Sequence, residues 1–145
     1  MDISDPYCHT STIAIRCSAG KAFDYLADGV KMGDWTLGSQ QRQALGNGLF
    51  SGVSIFDGRT LYVRLHPDRE RLMIYCDVGG DPEQLQPRNL LRIVPGPVVG
   101  DGADICLVTL MSWRSVGASD PDWIKLCSSH ETEMFIIKDR LERTN

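Results

Sequence analysis

His130-Glu131-Thr132-Glu133-Met134 holds the residue types in this chain most suited to chemistry. Two imidazoles four residues apart on one helical face, as in His-Glu-x-x-His, would bind zinc. Here Met134 fills the second histidine position, so that site is absent. His130 and Glu133 could chelate an ion together, but no third ligand accompanies them. His9 and His66 are the only other histidines, and His66 reads as outward-facing. The expectation is no metal. His130 keeps two readings: a core histidine satisfied by a backbone or hydroxyl partner, or a polar group in a ligand cavity that orients a ligand or transfers a proton. In the second role it would work best with a pKa near neutrality.

Other routes to catalysis are closed. Cys127 and His130 lie within one helical turn, but no acid orients them as a thiol nucleophile. No Gly-x-Ser-x-Gly elbow occurs. Gly46-Asn47-Gly48 and Gly100-Asp101-Gly102 read as turns, because neither leads into a helix and no Gly-Lys-Ser/Thr follows. No cofactor is expected. Trp35, Trp113 and Trp123 are core or rim residues, or else stacking walls for an aromatic ligand. Met111 and Met134 fit either use, since methionine fills irregular gaps and adapts to varied ligands.

The elements that must position these residues are legible. Asp120-Pro121-Asp122 opens one long helix whose inner stripe is Trp123, Cys127, His130, Met134, Ile137 and Leu141, in alternating steps of four and three. Before it, Thr12–Cys17 reads as a strand, and Ser18 caps a short helix from Ala19 to Asp28. A further helical turn runs from Val30 to Trp35. Strands follow at Gln40–Ala44, Leu49–Phe56, Thr60–His66, Arg71–Val78, Asn89–Val94 and Ile105–Arg114, punctuated by Asn47-Gly48, Asp57-Gly58 and Pro67-Asp68 turns. Consecutive hairpins imply an antiparallel sheet.

The period of two sorts the faces. Leu61, Val63 and Leu65 oppose Tyr62, Arg64 and His66. Leu72, Ile74, Cys76 and Val78 oppose Tyr75 and Asp77. In the last strand the set Ile105, Leu107, Thr109, Met111 and Trp113 is expected to face the helix. Tyr62 and Tyr75 then lie on an outer face, which is solvent-exposed or a homodimer surface unless the register is shifted by one.

The bulk properties bound the rest. A chain of 145 residues is the size of one domain and buries roughly 70% of its unfolded surface. With 42% hydrophobic and 23% charged residues it is globular. No run reaches the ~20 apolar residues of a membrane span. The net charge of −4 and the scattered arginines argue against nucleic acid and against a polybasic membrane anchor. Five widely spaced cysteines, with no basic-then-apolar N-terminus, read as reduced thiols in a cytoplasmic protein. Residues 1–9 read as a leader and 10–143 as a single domain.

The stretch from Ile13 to Asp28, followed by Trp35, resembles the opening of the SRPBCC superfamily, which includes START domains, polyketide cyclases and pollen allergens. The Pro67–Leu72 turn resembles that family's usual hairpin. The resemblance implies an α+β helix-grip fold: a curved antiparallel sheet of about six to seven strands around a long C-terminal helix, with two short helices after the first strand. It implies binding of a small hydrophobic molecule, a lipid, polyketide or aromatic compound, between sheet and helix. The pocket expected on this basis draws on Trp35, Leu61, Leu72, Ile74, Cys76, Thr109, Met111, Trp113, His130 and Met134. A second expectation is a cofactor-independent cyclase or dehydratase with His130 transferring the proton. A third is a protein-interaction module with a filled core. The superfamily's iron hydroxylases carry a Cys-x-His Rieske motif, which is missing here.

Overall fold

The computed structural model describes residues 6–143. The first strand, β1, covers Cys8–Ile15, and helix α1 covers Ala19–Leu26. A 3-10 turn, Lys31–Asp34, follows. Six further strands come next: β2 (Gln40–Gly46), β3 (Leu49–Val53), β4 (Thr60–Asp68), β5 (Met73–Gly79), β6 (Gln86–Pro95) and β7 (Cys106–Trp113). A second 3-10 turn, Gly96–Val99, separates β6 from β7. Helix α2 covers Asp120–Arg143. The strands form one antiparallel sheet in the order β1-β7-β6-β5-β4-β3-β2. β1 closes the sheet against β7, and this curved sheet grips α2. Of the expected leader, residues 1–5 lie outside the described residues, while Cys8 and His9 already pair with β7.

Local chemistry explains the elements. Ser18 Oγ accepts the Lys21 amide at 3.2 Å and caps α1, which buries Ala22, Phe23 and Leu26. Gly46-Asn47-Gly48 takes the left-handed conformation throughout, the twist that a tight hairpin requires. Carboxylates of Asp120 and Asp122 sit at the start of α2, and Arg140 and Arg143 at its end, complementing the helix dipole. The far end of α2 is fastened to β1: Glu142 accepts the Arg16 amide at 2.9 Å and the Lys138 ammonium at 2.8 Å. These donors hold the Glu142 carboxyl down to about 2. Lys138 also donates to the Ala14 carbonyl at 2.8 Å.

The helical stripe is as expected in its second half. His130, Met134, Ile137 and Leu141 are buried, and Glu133 joins them. In the first half, Trp123 and Cys127 are only half-buried. The core lies under α1 and the C-terminal half of α2, with Ile15, Leu26, Ile74, Leu91, Ile93 and Val108 fully enclosed. Each such side chain contributes about 1.5–3 kcal/mol by leaving water.

Strand parity in β4 and β5 follows the sequence, with Val63, Leu65, Ile74 and Cys76 inward and Tyr62 and Tyr75 outward. In β7 it is reversed. Cys106, Val108, Leu110 and Ser112 face the helix, opposite Pro95, Ile93, Leu91 and Asn89 of β6. Thr109 and Met111 are therefore on the outer face, where Thr109 Oγ1 meets Thr12 Oγ1 at 2.8 Å. Both sets in this strand are largely apolar, so hydrophobicity alone did not choose the face. Leu72 precedes β5, in the left-handed conformation at φ 54°.

Candidate functional site

Between the sheet and the N-terminal half of α2 lies a cavity of about 330 Å³. Its wall is largely apolar: Leu61 and Val63 from β4, Cys76 and Val78 from β5, Leu91 from β6 and Leu110 from β7. Met32 and Trp35 contribute from the 3-10 turn, and Trp113 from the end of β7. Ser115, Asp122 and Leu126, which are exposed, mark the open side beside the first turns of α2. Lys125, on the same turns, places its ammonium 4.9 Å from the Phe56 ring of the β3–β4 turn.

Of the residues expected at the pocket, Trp35, Leu61, Cys76, Trp113 and His130 line it. The others do not. Ile74 and Met134 are packed in the core, 0% and 2% exposed. Leu72 packs against that core from the β4–β5 turn. Thr109 and Met111 are on the opposite face because the parity of β7 is reversed.

Among the apolar lining stand three buried acidic or basic side chains, with Ser39 beside one of them. The first is His130, whose Nδ1 is 2.7 Å from Ser112 Oγ. The Ser112 hydroxyl donates to Asn89 Oδ1 at 2.7 Å, so it accepts from His130 Nδ1–H. That arrangement leaves Nε2 without a proton. Burial, reinforced by nearby His9, lowers the His130 pKa to about 4, and the ring is neutral at pH 7.

The second is Glu133, one turn further along α2 and 4% exposed. Its Oε1 accepts the Leu37 amide at 3.3 Å. Burial pushes its pKa up to about 8, against the opposing pull of that amide. At neutral pH Glu133 is mainly a protonated acid. The sequence had weighed it only as a partner for metal.

The third is Arg42, 7% exposed on β2. The strand is bulged here: pairing with β3 shifts register between Gln40 and Gln43, and Gln41 takes φ 53°. Bulges re-aim a side chain at the edge of a sheet, and this one turns Arg42 inward. Its Nε donates to the Gly29 carbonyl, its Nη1 donates to Ser39 Oγ at 2.9 Å, and its guanidinium carbon lies 5.6 Å from the Phe50 ring centre. Two glycines make the cradle: a Cβ on Gly29 would meet the Phe50 ring at 2.3 Å, and one on Gly52 would meet Ser39 Oγ at 2.0 Å. Burial lowers the Arg42 pKa to about 10, so the group is still a cation at pH 7. The sequence read Gln40–Ala44 as a plain strand, and no local signal marked the bulge.

No group of three or more His, Cys, Asp or Glu among the described residues is arranged to hold a metal ion. Near neutral pH His130 and Glu133 are both mainly uncharged. No helix among the described residues is long and apolar enough to cross a membrane.

No protein-family model and no curated protein matches the chain. Solved structures do. A START superfamily protein from Mycobacterium smegmatis superposes with a TM-score of 0.73 at 13% identity, over 96% of this chain and 99% of that one. The Zhui aromatase/cyclase from Streptomyces sp. R1128 gives 0.68 at 13% identity, over 94% and 93%. One part of the di-domain aromatase/cyclase BexL, from the BE-7585A biosynthetic pathway, gives 0.70 at 13% identity, over 93% of this chain and 46% of that one. At such identities the likeness concerns architecture: this chain has the helix-grip fold of START proteins and polyketide aromatase/cyclases, the fold implied by its SRPBCC-like opening residues.

Proposed function

We propose that this protein binds a small, largely apolar molecule in the space between its sheet and the N-terminal half of α2. The observation that carries the reading is the cavity itself, about 330 Å³ with a mostly apolar wall. That is within the range of small-molecule sites, which pair apolar walls with a few fixed polar groups. A filled-core interaction module would have no such space, so that alternative loses its support. The five free cysteines suit a cytoplasmic setting, where thiols stay reduced. The test is mass spectrometry of protein purified from cells. A native mass exceeding the denatured mass by a few hundred daltons supports the reading. A protein that carries no such mass and binds no neutral apolar dye such as Nile red overturns it.

One observation favours a second reading, a cyclase or dehydratase. Catalytic sites separate the pKa values of paired groups to assign acid and base roles. Here Glu133 is held protonated and His130 is held neutral, one helical turn apart. In this reading His130 Nε2 accepts a proton and Glu133 supplies one, although burial holds the His130 pKa at about 4, below the near-neutral value at which such a base works best. His130→Ala would then abolish turnover of a hydroxyketone substrate while leaving the protein folded. Unfolding of that variant would make His130 structural and remove the base.

A further inference from the structure

Resting on the binding reading above, we propose that the ligand is an apolar carboxylic acid in its ionised form, with its carboxylate at the Arg42–Trp35 end of the cavity. Arg42 is a buried cation without a counter-ion. It takes part in none of the ion pairs among the described residues. Its fixed partners, the Gly29 carbonyl, Ser39 Oγ and the Phe50 ring, are all neutral. Cys76, whose thiol senses the guanidinium, is pushed by burial up to about 12 and is uncharged. Glu133, the buried acid of the same cavity, is protonated at neutral pH. A lone charge in a low-dielectric interior is unfavourable unless an anion joins it.

The hydrogen bonding points the same way. Arg42 Nη2 and Trp35 Nε1 are buried and have no acceptor among the described residues. An orphaned buried donor costs about 1–3 kcal/mol, and more when charged. Both groups can only donate, so what completes them must accept. Both side chains line the cavity, while the two nitrogens have almost no accessible surface of their own. A carboxylate entering at this end gains first from charge at short range, where water does not screen it. With Nε and Nη1 held by Gly29 and Ser39, Arg42 Nη2 and the Trp35 indole N–H are the donors that remain for it. The 35–39 segment joins these parts, because it carries Trp35 itself, Ser39 beneath Arg42 and the Leu37 amide on Glu133. The remaining charged lining residues are Arg88, half-buried, and Asp122, exposed on the open side. Neither neutralises Arg42.

The test is calorimetric titration of the wild-type protein with 2-naphthoate and with 2-naphthamide, an uncharged molecule of the same shape. The naphthoate should bind at least tenfold more tightly. In Arg42→Met that preference should vanish while the amide binds as before. If Arg42→Met does not fold, the wild-type comparison and Trp35→Phe decide, the latter removing the indole N–H and lowering the preference for naphthoate over naphthamide severalfold. Equal binding of the two probes by the wild type, or a preference that survives in folded Arg42→Met, overturns the proposal and leaves the apolar site standing. Failure of both probes and of Nile red overturns the binding reading as well.

Discussion

Ser112 Oγ and His130 Nδ1 lie 2.7 Å apart across the seam between β7 and α2, and the bond sets the state of the imidazole. Because the Ser112 hydroxyl is committed to Asn89 Oδ1, the proton is on Nδ1, and Nε2 remains an acceptor. Ser112→Ala should therefore leave His130 Nδ1–H and Asn89 Oδ1 without this partner. A loss of about 1–3 kcal/mol of stability is expected from an unmade buried bond. Nitrogen NMR of the imidazole gives the sharper readout: a single Nδ1–H form in the wild type should become a mixture in Ser112→Ala. An unchanged spectrum would mean that the serine does not fix the tautomer.

Stability should fall as pH rises from about 6.5 to 8. Glu133 has a folded pKa near 8, above its unfolded value of 4.5. Between those values the native state holds a proton that the unfolded state has lost, so stability drops by up to about 1.4 kcal/mol per pH unit. His130 acts in the opposite sense, with a folded pKa near 4 against 6.5 unfolded. It raises stability as pH climbs from 4 to 6.5 and contributes no slope above that. The two effects offset each other below pH 6.5, and only the Glu133 slope remains above it. Urea midpoints measured across this range should therefore be level and then decline. Glu133→Gln, which has no proton to lose, should remove the decline.

Gly52→Ala should disturb the Arg42 cradle from a neighbouring strand. The added methyl would sit 2.0 Å from Ser39 Oγ and 3.0 Å from the Ser39 backbone, a clash that rotation of the side chain alone does not relieve. Overpacking of this kind costs about 1–3 kcal/mol. It would also displace Ser39 from Arg42 Nη1. The expected result is a lower urea midpoint together with weaker discrimination between 2-naphthoate and 2-naphthamide. A variant as stable as the wild type would show that β3 yields more freely than its packing suggests.

The fold was legible because its signals are local. The alternating steps from Trp123 to Leu141, the Asn47-Gly48 turn and the Ser18 cap each carry their structure in adjacent residues. The site was legible only in part because it depends on strand parity and on one bulge. His130, Trp35, Leu61, Cys76 and Trp113 do line the cavity, and they stand on strongly patterned elements or are distinctive residue types. Thr109 and Met111 were misplaced because both faces of β7 are apolar enough to be buried; the seam with β6 decides which one is. Arg42 was missed because a charged residue in a polar strand reads as solvated. Only the irregular pairing at Gln40–Gln43 turns it inward. Glu133 belongs to the buried side of α2, but its hydrogen-bond partner is the Leu37 amide, which approaches from a loop.

Filling the cavity should separate binding from folding. Leu61 is half-buried and lines the space without being enclosed in the core. In Leu61→Trp the indole has a cavity of about 330 Å³ to enter, so the larger ring displaces ligand volume instead of neighbouring side chains. Small-to-large changes are costly in packed interiors, and that cost should be small here. Nile red and 2-naphthoate should both lose at least tenfold in affinity, with the thermal midpoint shifted by no more than a few degrees. Filling should also act differently from Arg42→Met, which removes only the advantage of the charged probe. If Leu61→Trp bound both probes as the wild type does, ligands would be using another surface. If it unfolded, the space beside β4 would be better packed than its volume implies. A folded variant that no longer binds would tie the ligand to the gap between the sheet and the first turns of α2.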